Sequence, residues 1–156
     1  MNSKNHFIKN IIMFILGCSF YVLLEILFRD RSYRLMALAG GISWCFGGTL
    51  NNRFSWKMDL LLQCSCISAI VTFLELVIGN IDYYFLHLNM WDYSNQILNF
   101  ANGKICLLFS ILWFFIGFPI IFIYDAITYY WMHDGDQPRY YIFGKEIWRM
   151  PKRNCH

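Results

Sequence analysis

Two glutamates lie inside apolar stretches of this chain, where a carboxylate is costly unless it has a partner. Glu25 stands about one turn before the end of the run 7–28, and Arg29 follows at i+4, the better order for an ion pair on one helix face. Glu75 stands about one turn before the end of the run 60–79 and has no basic residue three or four positions away. Such acids predict a binding site, with structural hydrogen bonding between helices as the alternative.

The elements that carry these acids are predicted to be transmembrane helices. The 156 residues are 58% hydrophobic and 15% charged, against about 25% charged in typical soluble proteins. Apolar runs of about 18 residues or more are long enough to cross a bilayer. We predict an all-α integral membrane protein with a domain at 1–126 and a basic aromatic tail at 127–156. The domain is a bundle of four transmembrane helices, at about 7–28, 35–50, 60–79 and 105–126, with an interfacial segment before the fourth.

The second predicted span is short and rich in glycine. Its four glycines are Gly40, Gly41, Gly47 and Gly48. Ala37 and Gly41, and Ser43 and Gly47, have the small-x-x-x-small spacing that lets helix backbones approach closely in lipid. We predict close helix packing here, and association into a homo-oligomer, because four short helices enclose little. A re-entrant or broken segment at 35–50 is the alternative.

Residues 80–104 contain too many turn-forming and polar residues to span, and their aromatic side chains suit the headgroup level. Because helices one and three run in the same direction, Glu25 and Glu75 should lie at the same membrane face, together with this segment. The segment supplies the remaining candidate binding residues, which are Trp91, Asp92, Tyr93, Asn99, Asn102 and Lys104.

The distribution of basic residues predicts the orientation of the chain. With both termini inside, nine Lys and Arg residues lie inside and four outside, which favours cytoplasmic N- and C-termini in a multi-pass protein of the cell membrane. Arg29, Arg31 and Arg34 oppose this orientation. The mixture of basic and aromatic residues in the tail indicates contact with an anionic membrane surface, so nucleic-acid binding is not predicted.

The sequence lacks the motifs of several function classes. Cys64 and Cys66 lack C-x-x-C spacing and have no nearby His, so no metal or cofactor is predicted, and the cysteines are interpreted as small apolar helix residues. Asp134 and Asp136 flank a glycine, as in a turn. The chain has no G-x-x-x-x-G-K-[ST], G-x-S-x-G or H-E-x-x-H motif. An ATPase would therefore have to be a separate nucleotide-binding subunit.

Several short motifs over about residues 15–125 resemble the CmpB-like family of small bacterial membrane proteins, described as type IV ABC transporters. The motifs are Leu24-Glu25 with Arg29, Gly40-Gly41, Thr72-Phe73-Leu74-Glu75 with Gly79, Trp91-Asp92-Tyr93-Ser94, Asn99 with Gly103-Lys104-Ile105-Cys106-Leu107, and Trp113. The resemblance implies a multi-pass protein and singles out Glu25, Arg29, Glu75 and Asp92. It departs at Asn51-Asn52, where Asn-Glu is expected, and at Lys104, where Gln or Arg is expected.

These features support three alternative hypotheses about the function of the protein. The first is a permease-like or accessory component of a membrane transport or envelope system. Its polar cluster would bind a cationic or zwitterionic solute, a proton or a lipid headgroup. The second is an intramembrane enzyme acting on a lipid headgroup, with paired carboxylates as acid and base. The third is a non-catalytic assembly or scaffold protein in which the cluster only joins helices.

Overall fold

The computed structural model describes residues 3–54 and 57–153, and at the helix ends 3–6 and 51–53 it describes only the backbone. Cys155, the last three residues of the predicted tail and the side chains of Asn51 and Asn52 lie outside the described part.

The chain is mostly helical, and its four α-helices are α1 (Ser3–Arg29), α2 (Arg34–Arg53), α3 (Leu60–Ile81) and α4 (Leu107–Ala126). Two short π-helical turns, Asp82–Leu86 and Ile127–Trp131, extend α3 and α4. Three helical stretches of the described chain are long and apolar enough to cross a membrane: Phe7–Arg29, Leu60–Leu86 and Leu107–Trp131. The chain is thus a membrane protein with transmembrane helices.

Successive helices run antiparallel. Gly17 in α1 lies against Trp44 in α2, whereas Tyr21, one turn further along α1, lies against Gly40, one turn earlier in α2. On the other side of the bundle, Gly117 of α4 lies against Cys64 of α3. Further along α3, Ser68 donates a hydrogen bond of 2.6 Å to the Ser110 carbonyl. The directions alternate, so α1 and α3 end at the same face.

The glycines of α2 allow it to pack at the centre of the bundle. Gly40 and Gly41 face α1, Gly47 faces Ile67 of α3, and Gly48 faces Tyr124 of α4. Because α2 meets protein on these sides, small and polar residues suit it better than the apolar surface that lipid requires. These contacts lie within one chain, so they do not require association between copies.

The prediction of an all-α protein is wrong in one respect, because two small antiparallel hairpins are present. One pairs β1 (Asn99–Phe100) with β2 (Ile105–Cys106), and the other pairs β3 (Arg139–Ile142) with β4 (Lys145–Arg149). Because residues 105 and 106 form a strand of the first hairpin, α4 begins at Leu107 and not at 105. The second occupies the predicted tail, where aromatic residues and Ile favour a strand.

The β3–β4 hairpin closes the end of the bundle that carries the termini. Tyr140 is fully buried and stacks on Trp148, and both rings contact Phe122 of α4. The Asp59 carboxylate caps α3 by accepting from the Leu61 amide at 2.9 Å, and it also accepts a hydrogen bond from the hairpin turn at residue 143. One side chain therefore fixes both the start of α3 and the position of the hairpin.

Candidate functional site

The two intramembrane glutamates lie at the opposite end of the bundle, beneath the interfacial segment. Glu25 is 7% exposed and Glu75 is 2% exposed. They come from α1 and α3, which end at the same face. Glu75 lies close enough to Arg29 and Glu25 for their charges to interact. We call Glu25, Arg29, Glu75 and Tyr93 the acid cluster.

Glu25 is held by two donors from its own end of the bundle. Its Oε1 lies 3.5 Å from Nη1 of Arg29, and its Oε2 accepts a hydrogen bond of 2.7 Å from the Ser32 hydroxyl. Arg29 also donates from Nη2 to the Met90 carbonyl at 2.5 Å. The guanidinium therefore joins α1 to the interfacial segment while it balances the Glu25 charge.

Glu75 has an unequal set of partners on its two oxygens. Oε1 accepts from the Trp113 indole nitrogen at 3.1 Å and from the Tyr93 hydroxyl at 3.4 Å. Oε2 is buried and receives no hydrogen bond from any residue that the structure describes. A buried polar atom without a partner costs about 1–3 kcal/mol, and more if it is charged. Glu75 is thus incompletely satisfied where it stands.

The interfacial segment is folded tightly over the acid cluster. The Asp82 carboxylate accepts from the amides of Leu88 and Met90, both at 2.8 Å, and so reverses the chain after α3. Trp91 then donates from its indole to the Lys104 carbonyl at 2.9 Å, which joins the middle of the segment to its end. These bonds bring the Met90 carbonyl to Arg29 and the Tyr93 ring to Glu75.

Tyr93 faces inward, where its ring stacks on Phe109 at 4.6 Å between centroids. Burial, together with the nearby carboxylate of Glu75, raises the pKa of Tyr93. Its hydroxyl therefore remains a hydrogen-bond donor at physiological pH. Because Tyr93 belongs to the interfacial segment, Glu75 accepts this hydrogen bond from a residue outside the four helices.

The other predicted site residues of the segment lie further out. Asp92 is exposed and accepts from the amide and hydroxyl of Ser94, bonds that lower the pKa of Asp92. Asn99 donates to the carbonyls of Ser94 and Gln96, at 3.1 and 2.8 Å. These bonds build the turns before β1. The structure therefore brings Glu25, Arg29, Glu75 and Tyr93 together, and places Asp92 and Asn99 in the surrounding loop.

Asn102 and Lys104 belong to the β1–β2 turn. Asn102 is exposed at a φ of 56°, a conformation that Asn tolerates better than most residues. Lys104 places its ammonium 4.5 Å from the centre of the Tyr83 ring, and its stem covers Gly79. Neither side chain has a described hydrogen bond to the acids, so both are placed at the rim of the segment.

Three residues that touch or flank the acids are not among the predicted site residues, although the family resemblance includes the last of them: Tyr21, Ser32 and Trp113. Trp113 is the clearest omission, because a buried indole N–H needs an acceptor and Trp113 stands within an apolar helix. Its ring also stacks on Tyr21, with 5.5 Å between centroids. Ser32 carries no comparable signal, since only the fold of the α1–α2 connection brings it back to Glu25.

A separate buried acid lies at the end with the termini. Asp125 is 3% exposed and accepts a 3.0 Å hydrogen bond from the Tyr140 hydroxyl. Nearby, Asp134 forms an ion pair with Lys9 across the bundle. The first contact connects the hairpin to α4 and the second connects the loop before the hairpin to α1. Both lie at the face opposite the acid cluster.

Comparison with models of known protein families gives a match that covers most of the chain. The model of a family described as "Putative ABC-transporter type IV" matches residues 2–144, which include all four helices and the interfacial segment. No curated protein and no solved structure matches the chain.

Proposed function

The chain belongs to this family of ABC-transporter-associated membrane proteins, and we propose that it is a permease-like or accessory component of a transport system. In this proposal the acid cluster is its ligand site. The observation that carries the proposal is the buried Oε2 of Glu75, which has no hydrogen-bond partner among the described residues.

The chemistry of the cluster favours a cationic or zwitterionic ligand, or a lipid headgroup with an ammonium group. Two carboxylates and one guanidinium give a net negative site when all three are ionised. An ammonium group would donate the hydrogen bond that Oε2 of Glu75 lacks among the described residues. Tyr93 and Trp113 supply aromatic surfaces beside the carboxylate, which also suit a cation. Asp92, exposed above the cluster, adds negative charge on the side from which a ligand would approach.

We propose that all four helices span the membrane. A helix of 20 residues is about 30 Å long, which matches the hydrocarbon core of a bilayer. The α2 helix has this length and runs back along α1 after a connection of a few residues. Both termini then lie on one side, and the excess of basic residues at that end supports a cytoplasmic location.

The partners in this proposal are the bilayer, a separate nucleotide-binding subunit and further copies of the chain. The subunit is proposed because the sequence has no phosphate-binding loop of its own. Association between copies remains a prediction from the small size of the bundle, since the glycines of α2 are used within one chain.

A purely structural role is the second candidate, and the bonds of Glu75 favour it. Through Trp113 and Tyr93, Glu75 links α3 to α4 and to the interfacial segment. Such bonds between membrane helices contribute roughly 0.6–2 kcal/mol each. A scaffold of this kind would need the hydrogen bonds but no ligand.

Native mass spectrometry of protein released from nanodiscs separates these functions. Wild-type protein is compared with Glu75→Gln and with the control Glu146→Gln, which alters an exposed acid of the hairpin. The transport proposal expects a bound small molecule or lipid in the wild type and the control, and its loss from Glu75→Gln. Bare protein in all three spectra would refute the ligand site and favour the structural role. The same spectra report the oligomeric state.

A further inference from the structure

The hydrogen bonds of Glu75 leave one oxygen of its carboxylate where a proton can bind. Each carboxylate oxygen offers about two lone-pair sites. On Oε1 both are used, by the indole of Trp113 and the hydroxyl of Tyr93. On Oε2 neither is used by a residue that the structure describes, and the atom is closed off from solvent. The geometry therefore distinguishes the two oxygens of one carboxyl group.

The charges around Glu75 favour the neutral form of the cluster. In the part of the chain that the structure describes, the titratable groups that interact with Glu75 are Tyr21, Glu25 and Arg29 from α1 and Tyr93 from the interfacial segment. The α4 helix presents the neutral indole of Trp113. Arg29 already bonds Glu25 and the carbonyl of residue 90. One guanidinium cannot neutralise two carboxylates, and a net charge is costly at this depth.

We propose that Glu75 is a reversible proton-binding site whose proton is carried on Oε2. The proton adds to a lone pair of Oε2, the carboxylate becomes a neutral carboxylic acid, and the cluster changes from a net charge of −1 to zero. Since the proton is carried on Oε2, both lone pairs of Oε1 remain available to Tyr93 and Trp113. This inference concerns the acid cluster of the proposed function, but it does not require a ligand.

Proton binding at this position acts on the interfacial segment. Hydrogen bonds to an ionised carboxylate are about twice as strong as those to a neutral acceptor. An ionised Glu75 therefore holds Tyr93 more firmly than a protonated one. Two described bonds fix the segment to these side chains, one from Tyr93 to Glu75 and one from Arg29 to the Met90 carbonyl. The proton weakens the first of them.

The composition of the chain makes the proton directly observable by infrared spectroscopy. It has only three glutamates, Glu25, Glu75 and Glu146. Protein labelled with ¹³C-glutamate is reconstituted in nanodiscs, and the carbonyl stretch of protonated carboxyl groups is followed as pH is changed. The label shifts glutamate bands and leaves aspartate bands in place. Glu146 is exposed and bonded by Arg149, which lowers the pKa of Glu146, so it is ionised at neutral pH.

The expected result is a protonated glutamate band at neutral pH that falls as pH rises, persists in Glu146→Gln and is lost in Glu75→Gln. In Glu25→Gln, Arg29 is free to balance Glu75. A positive charge at close range lowers the pKa of a carboxyl group by roughly one to three. The affinity of Glu75 for its proton should therefore fall roughly 10- to 1,000-fold in this variant. Absence of a titrating glutamate band in labelled wild-type protein, which needs no variant to fold, would overturn the proposal. So would an unshifted titration in folded Glu25→Gln.

A second readout tests the coupling to the segment. Amide hydrogen exchange of residues 90–94 should slow as pH rises through the midpoint of the glutamate band, after correction for the intrinsic rate, and should lose this dependence in Glu75→Gln.

A titrating glutamate with no bound ligand in native mass spectrometry would refute the transport ligand alone. A ligand without a titrating glutamate would refute the proton site alone.

Discussion

Substituting Gly48 by alanine should destabilise the bundle, because the position has no room for a side chain. A Cβ there would lie 2.0 Å from Cγ of Tyr124 and 2.1 and 2.3 Å from its Cδ atoms. Carbon atoms in favourable contact are about 3.5–4.0 Å apart, and Tyr124 is 1% exposed. Overpacking costs about 1–3 kcal/mol, and this overlap belongs at the upper end. Alanine recovers about 1 kcal/mol of helix propensity, so we expect a net loss of about 2 kcal/mol.

Gly79→Ala is the matched control for this prediction. It makes the same change in a helix, but its Cβ would lie 3.2 Å from the flexible stem of Lys104 and 3.3 Å from Trp91. At about 2–4 °C per kcal/mol for a chain of this size, Gly48→Ala should unfold about 4–8 °C below wild type in detergent, and Gly79→Ala at or above wild type. Fluorescence-detected size exclusion after heating measures both. Equal midpoints for the two variants would refute the argument that α2 is packed against Tyr124.

Two further predictions concern the end of the bundle with the termini. Asp59→Ala removes the cap of α3 and the carboxylate that accepts from the hairpin turn, and should cost about 0.5–2 kcal/mol and speed amide exchange in β3 and β4. The exposed Asp136→Ala is its control, and equal exchange in both variants would contradict the role of Asp59. Tyr140→Phe takes a donor from the buried Asp125 carboxylate and should cost about 1–3 kcal/mol, whereas Tyr141→Phe, whose hydroxyl bond is exposed, should cost little. Thermal midpoints that do not separate these two variants would contradict it.

The sequence was sufficient to predict the membrane class and the positions of the helices. Apolar runs about one bilayer thick predicted helices close to those observed, and the low charge content excluded a soluble domain. The α2 helix was predicted from a shorter and more polar run. Its glycines permitted close packing, but only the packed bundle shows that Gly47 and Gly48 contact α3 and α4 in the same chain.

The hairpins show which part of the fold local sequence patterns do not predict. The charges and aromatic rings of the segment 127–156 suit a membrane surface and predict a basic aromatic tail. In the structure, Tyr140 is fully buried and Trp148 stacks on it. Two strands of four and five residues leave a weak pattern, and their pairing depends on contacts with Phe122 and with the carboxylate of Asp59. Those partners are distant in sequence, so local propensity could not identify them.

For the acid cluster, the sequence determined which residues are costly and at which depth they lie. An acid in an apolar run needs a partner, and the shared direction of helices one and three places Glu25 and Glu75 at one face. The i+4 spacing also indicated Arg29 as a partner of Glu25. Only the tertiary structure decided the other partners, because it brought Ser32 to Glu25 and left Glu75 with two donors on one oxygen. The physical reason is that depth follows from counting residues along a helix, whereas hydrogen bonding requires atoms about 3 Å apart, and helix rotation and loop folding set that distance.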